Sequence, residues 1–248
     1  MKRIFITCLF FSALLPGLFA QTATEIIRRA DQKLRGESSY SELRMTIQRP
    51  DWSREVTMKS WSLGDELALI LITGPARDRG TAFLKRDREI WNWQPTIDRT
   101  IKMPPSMMMQ SWMGSDFTND DLVRESSTVV DYTHTLLGEE TIDGRPCWKI
   151  ELVPKPEAAV VWGRIISWID KAEYMQLKTE FYDEDDFLVN TMIGSEIKEM
   201  DGKVLPSRME IIPEDEPGHR TILEYLTLDF GIDVNESFFS VQNMKRVR

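Results

Sequence analysis

Apolar residues near the start of the chain recur at the spacing of an α-helix. They are Ile26, Ile27, Ala30 and Leu34. Thr22 and Glu25 precede them at the spacing of a capping box, in which a hydroxyl and a carboxylate each accept a hydrogen bond from a backbone amide at the helix start. Gly36 is well placed to end the helix, because glycine adopts the left-handed conformation of a C-cap at little cost. The pattern predicts one amphipathic helix over residues 23–35.

Beyond this helix, apolar and polar positions alternate, which is typical of strands with one buried face. Leu43, Met45 and Ile47 form the clearest of these runs. Roughly a dozen strand-like runs follow at short spacing, and pairs such as Asp201–Gly202 supply the turn chemistry between them. We therefore expect a mainly β (α+β) fold, built as an antiparallel sheet in a single domain over residues 21–248.

Residues 104–125 interrupt the strand pattern. The segment starts with two prolines, Pro104 and Pro105, and continues with three consecutive methionines at 107–109. Paired prolines cannot continue a central strand because they lack backbone N–H donors, and the Ser and Asp residues that follow are typical of helix starts. The sequence predicts a loop with a short helix at this place, between two blocks of strands.

The first twenty residues have the features of a secretory signal peptide. Lys2 and Arg3 give a positive start, residues 4–15 are apolar, and Ala20 is a small residue before a predicted cleavage site. The apolar stretch is too short to span a bilayer as a helix. The rest of the sequence contains no apolar stretch of membrane-spanning length. We expect a protein that is exported through cleavage of residues 1–20, is soluble in the periplasm and has no transmembrane segment in its mature chain.

The charge balance and the scarcity of reactive motifs exclude several function classes. The chain has 31 Lys and Arg residues against 40 Asp and Glu residues, a net charge of −9, which argues against binding to the phosphate backbones of nucleic acids. Its 2 histidines, His134 and His219, are far apart in sequence. No nucleophile elbow, zinc-protease helix or phosphate-binding glycine loop is present. We expect a protein that is not an enzyme and uses no cofactor and no metal.

Methionine and aromatic residues supply the candidate binding surface. Thioether side chains are unbranched and adapt to irregular apolar partners, so the Met-rich segment fits a lipid- or peptide-facing surface. A Cu(I) site and plain core packing are the alternatives. Trp91 and Trp93 share one face of a predicted strand, where they either line a ligand cavity or belong to the core. The candidate cavity residues are Trp91, Trp93, Ile101, Met103, Met107, Met108, Met109, Trp112, Met113 and Phe117.

Four stretches resemble a known protein family. They are the predicted helix, the sequence IWNWQP at 90–95 with its continuation to residue 104, the sequence WMGSDFTNDDL at 112–122, and FFSV at 238–241. On these stretches the chain resembles the bacterial outer-membrane lipoprotein-sorting proteins, relatives of the carriers LolA and LolB, and in particular the branch that includes an uncharacterised treponemal periplasmic protein domain. The resemblance implies an incomplete antiparallel β-barrel, with an N-terminal helix and a short helical insert that cover its concave apolar face.

The resemblance also implies a function. Acyl chains of a lipoprotein in transit would occupy the apolar cavity, which predicts a non-catalytic periplasmic carrier for lipidated cargo in outer-membrane lipoprotein sorting or lipid shuttling. The cargo is then an acylated lipoprotein or a lipid, with an inner-membrane transporter and an outer-membrane acceptor as partners. A periplasmic sensor or adaptor of the same fold, which binds a membrane-protein partner, is the alternative. An enzyme that acts on a lipid-like substrate is a third interpretation.

Overall fold

The computed structural model describes residues 21–122 and 128–247. The predicted signal peptide, residues 1–20, lies outside the described residues. Across the described part of the chain, no helix is both long enough and apolar enough to cross a membrane.

The described residues form helices, strands and short helical turns with the following bounds. The helices are α1 (Ala23–Arg35), α2 (Asn119–Leu122) and α3 (Val241–Met244). The strands are β1 (Ser38–Gln48), β2 (Ser53–Leu63), β3 (Leu67–Gly74), β4 (Ala82–Arg86), β5 (Glu89–Gln94), β6 (Arg99–Lys102), β7 (Tyr132–Ile142), β8 (Arg145–Pro154), β9 (Arg164–Asp170), β10 (Gln176–Tyr182), β11 (Leu188–Met200), β12 (Lys203–Pro213) and β13 (Arg220–Phe230). The 3₁₀ turns lie at Pro95–Ile97, Pro105–Met107 and Glu236–Phe238.

The strands of the described chain form one 13-stranded sheet in the order β6-β5-β4-β3-β2-β1-β13-β12-β11-β10-β9-β8-β7. Sequential strands pair antiparallel on each side, and the pairing of β1 with β13 joins the two halves. Asp201 and Gly202, both with positive φ, make the turn between β11 and β12, as predicted. The edge strands β6 and β7 do not pair with each other, so the sheet stays open. The predicted mainly β fold with an incomplete barrel is confirmed.

Helix α1 forms where the apolar spacing predicts it. The Thr22 hydroxyl accepts a hydrogen bond from the Glu25 amide at 3.2 Å, and Gly36 ends the helix with a φ of 68°. The helix buries Ile26 and Ile27 and packs against β7 and β9. It therefore covers part of one face of the sheet.

The two faces of the sheet bury different clusters, and the alternation along each strand assigns every side chain to one face. On β3, Ile70 and Ile72 belong to the cluster that includes α1, on the side that we call the inner face. Leu69 and Leu71 belong to the cluster of the opposite side, the outer face. The carboxy-terminal segment covers part of the outer face and buries Phe239 completely there. Each face thus has its own cover.

The insert between β6 and β7 is a loop with short helical turns, as predicted for its described part. An isolated bridge pairs Ser111 with Thr118, just before α2. Trp112 is fully buried, and its ring centroid lies 5.2 Å from that of Phe83 on β4. Because Phe83 belongs to the inner-face cluster, the insert is anchored on the same face as α1.

Candidate functional site

A cavity of about 300 Å³ lies between α1, the inner face of the sheet and the end of the insert. Its wall includes side chains from β2 and β3 and also from β8 and β9. These two pairs of strands are far apart in the sheet order, so the sheet curls around the cavity. Pockets that bind small ligands have volumes from about 300 Å³ upward.

The middle of the cavity is apolar. The inward-facing residues of its wall include Leu43, Met58, Ile70, Leu152, Ile165, Phe181, Met209 and Leu223. Helix α1 adds Ile27, Ala30 and Leu34, which are among the residues whose spacing predicts the amphipathic helix. Removing apolar surface from water contributes roughly 25 cal/mol per Å², so this wall favours an apolar ligand.

The insert contributes Phe117 to the cavity wall. Phe117 is buried, and its neighbour Asp116 forms an ion pair with Arg49 at 2.9 Å, in which both side chains are largely buried. The hydroxyl of Thr221, on β13, donates a hydrogen bond to the same carboxylate at 2.6 Å. Because Arg49 directly follows β1, these contacts fix the insert to the centre of the sheet.

Asp121 connects the insert to the opposite wall of the cavity. Its carboxylate accepts hydrogen bonds from the Thr118 amide at 2.8 Å and from the Trp162 indole N–H at 3.0 Å. Burial raises the pKa of Asp121 above the ordinary carboxyl value, and the hydrogen bonds from Trp162 and Thr118 oppose that rise. The ring of Trp162 in turn contacts Phe181, with centroids 5.1 Å apart. Asp121 thereby holds α2 against the segment that precedes β9.

His134 on β7 fastens the other cover, α1. Its Nδ1 lies 3.1 Å from the Thr24 hydroxyl, and its Nε2 donates a hydrogen bond to the Thr128 carbonyl at 2.6 Å. Burial lowers the pKa of His134, the hydrogen bond to Thr128 opposes this, and the charges of Lys155 and Arg28 lower the pKa further. The neutral imidazole therefore bridges the start of α1 and the chain that leads into β7.

The structure places the predicted cavity residues of the insert and of β6 in several environments. Phe117 lines the cavity. The inner-face core includes Met103, Met107, Met108, Trp112 and Met113, for which this placement favours the core-packing alternative. Met109 is 69% exposed and lines a second, more open pocket together with Phe117. Ile101 is half-buried and pairs with Asn92 of β5.

The structure corrects the cavity prediction for Trp91 and Trp93. The two side chains do share one face of β5, but it is the outer face. Trp93 is buried in the outer-face cluster around Phe239, and Trp91 packs against the same cluster. The inward positions of β5 belong to Ile90 and Asn92, since neighbouring residues of a strand point to opposite faces. Neither tryptophan contributes to the wall of the cavity.

Sequence reasoning missed five serines of the cavity wall, of which Ser167 lies on β9. Ser39 and Ser41 lie on β1, and Ser60 and Ser62 lie on β2. A signal was available, because Ser39 and Ser41 continue the inward alternation that Leu43 starts. Small polar residues near a strand end nevertheless resemble turn-flanking residues, and the sequence pattern alone does not separate the two cases.

One group of side chains has the composition of a cation site. Asp116, Glu216 and His219 each place one ligand atom within 4.8 Å of the others. Both carboxylate oxygens of Asp116, however, contact the guanidinium of Arg49, at 2.9 and 3.0 Å. Arg49 therefore already balances the charge of Asp116, and we assign Asp116 to the contacts that anchor the insert.

Comparisons with known proteins identify structures that have a similar fold. A family model described as "Uncharacterized protein" matches residues 64–246. A DUF1329 family protein from Desulfovibrio piger is 26% identical, with a TM-score of 0.82 over 90% of this chain and 97% of that chain. LolA superfamily protein NE2245 from Nitrosomonas europaea is 24% identical, with a TM-score of 0.78 over 90% and 99% of the two chains.

A third similar structure is a domain from Vibrio parahaemolyticus, described as a proposed outer membrane lipoprotein-sorting protein. It is 24% identical, with a TM-score of 0.81 over 90% of this chain and 98% of that chain. No curated protein matches the chain in sequence. The open sheet with its helical covers is thus a LolA-like fold.

Two neighbouring methionines of the insert should respond differently to truncation. Met108 is buried in the inner-face core, whereas Met109 is 69% exposed. We expect Met108→Ala to lower the free energy of unfolding by about 2–5 kcal/mol and Met109→Ala to change it by less than about 0.5 kcal/mol. Urea unfolding curves of the two variants and the parent measure this. Equal effects of the two substitutions would contradict the placement of the insert.

The stability of the protein should fall in mild acid partly through His134. Since the folded protein lowers the pKa of this imidazole below its ordinary value of about 6.5, its stabilising contribution is present above that pH and is lost as the pH falls through the lowered pKa. We expect His134→Gln to reduce the shift of the urea midpoint between pH 7.5 and pH 5.5. His219→Gln, on the turn between β12 and β13, is the control. A parent-like shift in His134→Gln would refute this role.

Proposed function

We propose that this chain, which belongs to the family whose model matches residues 64–246 and has a LolA-like fold, is a non-catalytic carrier that binds the acyl chains of lipidated cargo in the periplasm. The observation that carries the proposal is the apolar cavity between α1 and the inner face of the sheet. An acyl chain gains about 0.8 kcal/mol for each CH₂ group that it buries. A cavity that encloses most of a chain can therefore compete with a membrane for it.

The names of the similar structures support this proposal. One belongs to the LolA superfamily, and another is described as a proposed outer membrane lipoprotein-sorting protein. Both share with this chain a fold over nine-tenths of its length. The same open sheet, with one apolar face that is only partly filled, suits a protein that must take up and give back an apolar group.

Uptake and release require the cavity to open, because its volume of about 300 Å³ is at the lower end for ligand sites. The two covers are attached to the sheet by side-chain contacts and not by strand pairing. The start of α1 is attached through His134, and α2 is attached through the hydrogen bond between Asp121 and Trp162. Loosening these contacts, together with the packing around them, would open the cavity while the strand pairing stays intact. Lids of this kind set the rates of entry and exit in many proteins.

We place this activity in the periplasm because residues 1–20 have the sequence of a signal peptide. An inner-membrane transporter would deliver the acylated lipoprotein or lipid, and an outer-membrane acceptor would receive it. The adaptor alternative predicts a stable complex with a membrane protein in which no lipid occupies the cavity. The two functions therefore differ in what the purified protein retains.

Filling the cavity should weaken lipid binding without unfolding the protein. Met209 is half-buried on β12 and lines the cavity, so Met209→Trp would occupy space that the ligand needs. Displacing two CH₂ groups of an acyl chain costs about 1.6 kcal/mol, so we expect roughly tenfold weaker binding or more. The measurement is a fluorescence-anisotropy titration with a labelled dipalmitoylated lipopeptide.

The control for this experiment is Leu226→Trp, which adds the same indole to β13 at a side chain that is 48% exposed and does not line the cavity. This variant should bind the lipopeptide as the parent does. Thermal unfolding of both variants checks that they fold. Parent-like binding by a folded Met209→Trp variant would refute the proposal that cargo occupies this cavity.

A further inference from the structure

Hydroxyl groups line the inner face of β1 and β2 at one end of the cavity. In the strand register, Ser39 is opposite Ser62, and Ser41 is opposite Ser60. All four side chains belong to the cavity wall. Side chains of directly opposite residues lie about 5 Å apart, so the four serines form a two-by-two array, which we call the serine patch.

Half of the serine patch has no hydrogen-bond partner within the described residues. The hydroxyls of Ser39 and Ser62 satisfy each other at 2.7 Å. The side chains of Ser41 and Ser60 make no such contact in the described chain, although Ser41 is only 7% exposed. Both residues line the cavity, so a ligand there can reach their hydroxyls. Ser41 and Ser60 can therefore donate hydrogen bonds to a ligand in the cavity.

The inward-facing residues of β1 and β2 change from serine to apolar residues at paired positions of the two strands. The next inward residue after Ser41 on β1 is Leu43, and the residue opposite Leu43 on β2 is Met58. Inward residues of one strand are about 7 Å apart along it. The cavity therefore has a short polar zone at the serine patch and a longer apolar zone beyond it. This division matches an amphiphile with a compact polar head and an acyl chain.

The charges of the wall decide which polar head fits. Arg35 lies in the wall but is paired with Asp31 at 2.7 Å. The ammonium of Lys178 is paired with Glu180 at 2.7 Å and lies over the ring of Trp168, which belongs to an outer-face cluster. Every cationic side chain of the wall within the described residues thus already has an acidic partner. An anionic head would find no counter-charge, whereas a neutral hydrogen-bond acceptor needs none.

We propose that the serine patch is a binding subsite for the neutral ester carbonyl of an acyl ligand, held by the hydroxyls of Ser41 and Ser60 while the acyl chain lies in the apolar zone. This inference rests on the proposed function and adds to it a preference for one class of acyl ligand. Acylglycerol esters, including the diacylglyceryl group of a lipoprotein, are favoured over free fatty acids.

The test compares three ligands that share a sixteen-carbon chain: 1-monopalmitoylglycerol, its ether analogue 1-O-hexadecylglycerol, which lacks the carbonyl, and palmitate. Isothermal titration calorimetry measures their affinities for the parent and for a variant with Ser41→Ala and Ser60→Ala. Two hydrogen bonds of ordinary strength correspond to roughly a tenfold change in affinity. We expect the parent to bind the ester about tenfold more tightly than either the ether or palmitate. The double variant should bind the ester more weakly than the parent does and bind the other two ligands with unchanged affinity, so that the preference is lost.

The matched control removes two hydroxyls on the outer face, those of Thr57 on β2 and Thr73 on β3, which hydrogen-bond to each other at 3.0 Å. Both threonines are replaced by valine in this variant. This control should keep the ester preference, and thermal unfolding checks that each variant folds. Equal binding of ester and ether by the parent would overturn the serine subsite but not the carrier function. Failure of the parent to bind any of the three ligands would overturn both.

Discussion

The alternation of side chains between the two faces of a strand governs which residues of this protein can meet a ligand. A single sheet supplies both the inner face, which α1 and the insert cover only in part, and the outer face, which the carboxy-terminal segment fills around Phe239. The inner face therefore keeps a cavity between α1, the sheet and the end of the insert. A shift of one residue in the register of β1 and β2 would exchange the two sets of side chains.

The elements that depend on local sequence could be predicted. Helix α1 follows from the spacing of four apolar residues and a capping box, and the Asp201–Gly202 hairpin follows from turn chemistry. The face that a strand turns to the cavity depends instead on contacts far away in sequence. Trp91 and Trp93 were assigned to a common face correctly, yet the packing of the carboxy-terminal segment makes it the outer face.

The candidate site likewise contains residues that local sequence can suggest and residues that only the tertiary structure reveals. Phe117 in the insert could be proposed as a cavity residue from sequence, because an apolar residue in a loop needs a surface to cover. The serine patch could not, because the pairing of Ser41 with Ser60 becomes meaningful only once the register and the wall are known. The insert methionines show why composition misleads: thioethers suit both a core and an adaptable surface, and Met108 and Met109 take one role each.

The proposed carrier function requires an acyl chain in the inner-face cavity. Mass spectrometry of organic extracts tests it most directly, with protein purified from the periplasm of cells that export it and with Met209→Trp purified in parallel. A carrier should yield acyl lipid or acylated peptide in the parent extract, close to one molecule per chain, and much less in the variant. Equal recovery from both proteins, or no acyl compound from the folded parent, would contradict it.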